Sequence, residues 1–122
     1  MNRSVDVIVL GGGIAGTTLA WTLWLQHKSF LLIDANHPAS ASRVAAGLVT
    51  PITGKRFNLG YRWHDAITIS DHFYRQIESI VDQRFWYPTE STRLLFDDED
   101  VDTLKSRFSQ FQGIDIHWTD SS

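Results

Sequence analysis

Gly11-Gly12-Gly13-Ile14-Ala15-Gly16 forms a G-x-G-x-x-G placed between a short apolar run and a helical pattern. The apolar run before it is Val5-Asp6-Val7-Ile8-Val9-Leu10. A second run, Phe30-Leu31-Leu32-Ile33, ends in Asp34, about twenty residues beyond the loop. Each position has a physical task. Gly11 permits a tight turn out of the strand, Gly13 lets an anion approach the backbone where a Cβ would stand, and Gly16 lets the helix sit close to the strand. Gly12, Ile14 and Ala15 complete the loop. A helix N-terminus offers unpaired N–H groups and the positive end of a dipole to phosphates. Asp34 stands at a strand end, where a carboxylate accepts hydrogen bonds from a ribose diol. The order strand, loop, helix, strand, acid predicts the α/β class and a Rossmann-like βαβ start that binds a dinucleotide.

The chain has 122 residues, the size of one small domain, and its hydrophobic content of 43% suffices for a core. A net charge of −3, without clustering, argues against a nucleic-acid surface. There is no cysteine, which excludes a disulfide framework and a thiolate metal site and fits a reducing, cytoplasmic location. Near the N-terminus only Arg3 is basic and the apolar run is short, so no signal peptide is expected. No stretch has the length of a membrane span. The five tryptophans read as core and interface packing.

The spacing predicts a first helix over Gly13–Gln26 that is apolar on most sides and so buried on most sides. Asn36 to Ala41 reads as turn residues, followed by a small-residue segment reaching Pro51. Thr53-Gly54-Lys55-Arg56 reads as a turn. A second helix is expected over Trp63–Asp82, with a stripe of Ala66, Ile69, Phe73, Ile77 and Ile80. Thr92–Phe96 alternates as a strand. Asp97-Asp98-Glu99-Asp100 reads as the N-cap and acidic first turn of a third helix rather than a metal cluster. Val101, Leu104, Phe108 and Phe111 give that helix its stripe, and Gly113 stops it. Ile114, Ile116 and Trp118 alternate as a final strand, with Asp120-Ser121-Ser122 behind it. No further parallel strand follows Asp34, so the sheet reads as incomplete. The chain is then expected to be a fragment of a longer protein, or one that associates with itself through an unsatisfied sheet edge.

Val7 to Gly16 with Asp34, followed by Ser40-Ala41-Ser42-Arg43-Val44-Ala45-Ala46-Gly47-Leu48-Val49-Thr50-Pro51, resembles the N-terminal region of the D-amino-acid oxidase and glycine oxidase family of FAD-dependent oxidoreductases. The flavin domain of a tRNA-modifying enzyme is similar in the same broad way. The resemblance implies FAD rather than NAD. It implies that the glycine loop holds the pyrophosphate, and that Asp34, with its neighbour Ala35, holds the adenosine ribose. Ser42 and Arg43 would contact pyrophosphate, and Ala45, Ala46, Gly47 and Leu48 would line the isoalloxazine with backbone atoms. It also implies an organisation in which residues 1–62 are the N-terminal part of an FAD-binding domain, while 63–122 lead into an α+β substrate domain. Asp34 departs from the glutamate more common in the family. The family's substrate and ring-contacting residues lie far downstream, so no catalytic residue carries over.

The five histidines, His27, His37, His64, His72 and His117, are scattered and make no metal-ligand spacing. Lys55, Arg56 and Arg62 give a local positive patch, suited to a reduced flavin or a substrate carboxylate but read more simply as an exposed turn. The expected function is the FAD-binding portion of an oxidoreductase acting on the C–N bond of an amino acid or amine. One alternative is a flavoenzyme for a modified nucleoside or hydroxy acid. Another is a non-catalytic dinucleotide-binding or assembly module.

Overall fold

The computed structural model describes residues 4–119 and divides into two compact units, residues 1–48 and 49–122. The Asp120-Ser121-Ser122 tail lies outside the described residues.

The first unit runs strand β1 (Val7–Leu10), helix α1 (Ile14–Leu25), strand β2 (Phe30–Ile33) and a single helical turn, α2 (Ala41–Val44). β1 and β2 pair in parallel, with Val7 opposite Phe30 and Leu10 opposite Ile33. Four residues make a short ladder, and a carboxylate closes it at each end. At the start, the Ser29 N–H and hydroxyl both donate to Asp6 Oδ2, at 3.1 and 2.6 Å. The Asp6 N–H donates back to Ser29 Oγ at 3.0 Å. These bonds hold the Asp6 carboxyl below its ordinary value of 3.8. At the far end, the Gly11 N–H donates to the Ile33 carbonyl at 2.8 Å, and the Gly12 N–H donates to Asp34.

α1 packs on β1 and β2 and buries Ala20 and Leu23 beside Val9. Gly16 sets the approach. A Cβ there would lie 1.8 Å from the Gly11 carbonyl oxygen, so no other residue fits. The expectation of a helix buried on most sides fails in this chain. Ile14, Leu19 and Trp24 are exposed. The sheet face opposite α1 is bare as well, with Ile8, Leu10, Leu31 and Ile33 exposed by 59, 77, 48 and 49%. Parallel strands with these residue types are normally covered on both faces.

The second unit holds a hairpin of β3 (Ile52–Thr53) and β4 (Asn58–Leu59), then helix α3 (Trp63–Val81) and helix α4 (Asp98–Ser106). A 3-10 turn follows at Phe108–Gln110. The expected turn at Thr53–Arg56 is present, and its flanks pair as a hairpin that the sequence did not announce. Its core is Phe57, Leu104 and Phe111, with Ile52, Leu59, Leu95, Ile114 and Ile116 against them. Phe57 is 1% exposed and adopts φ +49°, a conformation a bulky residue takes only when its surroundings enforce it.

The N-cap expectation at Asp97 holds: its Oδ1 accepts from the Asp100 N–H at 2.8 Å. Thr92–Phe96 and Ile114–Trp118 are not strands, because alternation supplies a face but neither segment has a neighbour to pair with. The third helix ends at Ser106, and Phe108 and Phe111 belong to the tighter turn beyond it. On α3, only Phe73 and Ile77 of the expected stripe are covered, while Ile69 is 67% exposed. The covered face is rotated toward Tyr74, because the chain after α3 folds back there. Tyr74 packs on Trp86 with centroids 4.7 Å apart. Glu78 accepts from the N–H groups of Phe85 and Trp86, both at 2.7 Å.

Two outcomes follow. Gly16→Ala should lower stability by about 3 kcal/mol or more, as an overpacked site with backbone on the far side, whereas Gly60→Ala, whose Cβ meets only contacts of 3.7 Å, should be nearly neutral. Urea melts of the two variants check this, and equal midpoints would refute it. The Asp6 clasp contributes stability that is complete above 3.8, where the unfolded carboxylate is also ionised, and is lost as pH falls through the depressed folded value. Asp6→Asn should therefore flatten the acid limb of a pH–stability curve.

Candidate cofactor site

The expected nucleotide residues fall entirely within the first unit, and the structure brings some of them together. Gly11 takes φ +96°, the positive value that its turn requires. Gly12 and Asp34 are in direct contact: the Gly12 N–H donates to Asp34 Oδ2 at 2.5 Å. A Cβ on Gly12 would stand 3.1 Å from the Asp34 carboxyl carbon. Asp34 Oδ1 accepts from the Asn36 N–H at 2.6 Å. The backbone bonds from Gly12 and then Asn36 hold the Asp34 carboxyl below its ordinary value, with Arg43 adding a smaller attraction. The side chain is thus anionic at neutral pH and oriented from both oxygens.

Gly13, as N-cap of α1, has no side chain to satisfy the first helical N–H. Ser42 does so across the fold. Its Oγ accepts from the Ile14 N–H at 2.9 Å. It would also lie 3.0 Å from a Cβ on Gly13, which explains the glycine, since φ −69° at that position needs none. The N–H groups of Ala15 and Gly16 find no acceptor among the described residues. Two free donors, the dipole of α1 and a hydroxyl converge on one exposed loop. That donor set and the missing Cβ fit a pyrophosphate.

Ser42 reaches the loop because residues 41–44 form α2, a helical turn within what the sequence shows only as a small-residue segment. Arg43 does not touch the loop. Its Nη2 donates to Asn36 Oδ1, which places it on the Asp34 side. Ala35 is exposed between its two polar neighbours. Ala45, Ala46, Gly47 and Leu48 are exposed, and Ala46–Leu48 make no hydrogen bond to other described residues. Gly47 takes φ +70° with nothing within 4 Å of its absent Cβ. Asn36 is the residue the sequence reading passed over. It sits at φ +54°, donates to Asp34 and receives Arg43. Its type was a usable signal, because asparagine tolerates the left-handed conformation, and an aspartate two residues before it binds backbone two residues on.

Residues 6–122 match the family model described as FAD dependent oxidoreductase. The chain belongs to that family. No curated protein and no solved structure matches it. The remaining chemistry-bearing types do not gather. Among the described residues no three His, Asp or Glu side chains could share a metal ion. No helix among them is long and apolar enough to cross a membrane.

Ser42→Ala should uncap α1. Loss of a cap costs about 1 kcal/mol, so thermal melts should show a modest loss of stability. The Ile14 amide should exchange faster with solvent. Unchanged exchange at Ile14 would remove Ser42 from this role.

Proposed function

We propose that this chain supplies the FAD-binding part of an oxidoreductase that oxidises the C–N bond of an amino acid or amine, in the manner of the D-amino-acid and glycine oxidases. The observation that carries the cofactor placement is the Ser42–Ile14 bond over Gly13, 2.9 Å long, beside two free helix donors. In this reading β1, α1 and β2 are the start of a Rossmann-like fold. The pyrophosphate lies over Gly11 and Gly13, against the N–H groups of Ala15 and Gly16. Ser42 keeps its hydroxyl proton free while it accepts from Ile14, and so can donate to a phosphate oxygen.

Asp34 binds the adenosine ribose. Each of its oxygens accepts one backbone N–H, and each retains a further lone-pair direction. The carboxylate can therefore hold the loop and a ribose diol at once. Its shorter reach than glutamate is offset by this fixed orientation. Bound FAD supplies a two-electron acceptor for the hydride leaving the carbon that carries nitrogen. The small side chains of Ala45–Gly47 and the unbonded backbone of Ala46–Leu48 suit close approach to a flat ring. The exposed sheet face of Ile8, Leu10, Leu31 and Ile33, next to open strand edges, supports self-association of the chain. Light scattering should then give a mass above that of the single chain.

Gly13→Val should abolish flavin retention, because the added side chain fills the approach to the loop. Asp34→Ala should weaken FAD about tenfold or more, read by fluorescence titration. An unchanged dissociation constant in both variants would remove the loop from the site. Bleaching of bound flavin by amino acids under anaerobic conditions tests the substrate class. A yellow protein that none of them bleaches would overturn the amino-acid reading in favour of a hydroxy-acid or nucleoside flavoenzyme or a binding module.

A further inference from the structure

The β3–β4 hairpin and the segment before α4 bring three cations to one place. The turn between the strands carries Lys55 and Arg56. Arg93, thirty-nine positions beyond Gly54, docks on the same turn: its Nη2 donates to the Gly54 carbonyl at 2.7 Å. Its guanidinium lies over the Phe57 ring, 4.4 Å from the centroid. That carbonyl also accepts from the Phe57 N–H, which closes the turn. None of the three cations pairs with a carboxylate among the described residues. No acidic residue occurs in the sequence between Asp34 and Asp65. Arg62, which the sequence placed in the same patch, is removed from it by a 2.8 Å ion pair with Asp65.

We infer that the Lys55–Arg56 turn with Arg93 is a binding site for an oxyanion, a phosphate or carboxylate group. An exposed arginine normally loses side-chain freedom when it grips a ligand. Arg93 has already lost it, through one hydrogen bond and a stack on Phe57, the most buried side chain among the described residues. A guanidinium has five N–H donors in a fork that suits an oxyanion, and the bond from Nη2 to Gly54 uses one of them. Lys55 and Arg56, both exposed on the adjacent turn residues, add charge without a competing internal partner. Phe57 explains why the arrangement is rigid: its φ of +49° and its burial fix the turn on which all three depend. The site lies wholly in the second unit and does not rest on the flavin reading.

The test is an amide and arginine Nε–H chemical-shift titration of the full chain with inorganic phosphate and, separately, with succinate. Sodium chloride holds the ionic strength constant. Saturable shifts confined to Gly54, Lys55, Arg56 and Arg93 are expected. Stronger binding of phosphate assigns a phosphate-bearing ligand, and stronger binding of succinate a carboxylate. Lys55→Gln with Arg56→Gln should weaken binding at least about fivefold, the range two exposed charge contacts supply. The signals of Phe57, Leu104 and Phe111 should stay in place. Arg93→Lys should weaken it further, because an ammonium loses the fork and the stack. Shifts that chloride reproduces, shifts spread equally over Lys28, Lys105 and Arg107, or a double variant that binds as tightly as the parent would each overturn the site.

Discussion

The carboxylate of Asp34 ties the end of β2 to the glycine loop, and what the loop offers a ligand depends on that tie. Gly12 has no side chain of its own to fix it, and a Cβ there would stand 3.1 Å from the carboxyl carbon. With its N–H held by Asp34, the loop has one position relative to the sheet. Ser42 then holds the next donor, Ile14, from the other side. Beyond these two anchors lie the N–H groups of Ala15 and Gly16, without an acceptor among the described residues. Pre-positioned donors avoid the ordering cost that a mobile loop would incur on binding an anion.

The same chemistry operates at the other end of the ladder. Asp6 and Ser29 exchange four hydrogen bonds where β1 and β2 begin, three of them through a side chain. Two strands of four residues bury little, with only Val9 below a tenth exposed among them. Polar clasps at both ends therefore fix a register that apolar packing alone leaves weakly specified. The bare face opposite α1 follows from the same economy of burial.

Much of the first unit was legible because its signals are local. The glycine spacing, the apolar runs and Asp34 give β1, α1 and β2 within two residues of their observed ends. The Asp97 cap was legible for the same reason. What escaped was set by distant partners. Ser42 caps Ile14 from twenty-eight residues away, and Arg93 reaches Gly54 from thirty-nine. The alternation at Thr92–Phe96 and Ile114–Trp118 was real, yet a strand exists only where a second strand meets it. On α3 the apolar stripe named a face, but Tyr74, Phe85 and Trp86 decided which side of it was covered. The Lys55–Arg56–Arg62 patch likewise exchanged one member, Arg62 for Arg93, once its pairing was known.

Membership of an FAD-dependent family and the geometry of one loop meet at a single claim, that Gly11–Gly16, Asp34 and Ser42 form the cradle for the cofactor's ADP portion. Titration of FAD into isotope-labelled chain, followed at backbone amides, tests it most directly. The account predicts saturable shifts at Gly12, Gly13, Ala15 and Gly16, with Asp34, Asn36 and Ser42 moving at the same concentrations. Saturable binding that leaves those amides in place and moves others would contradict it.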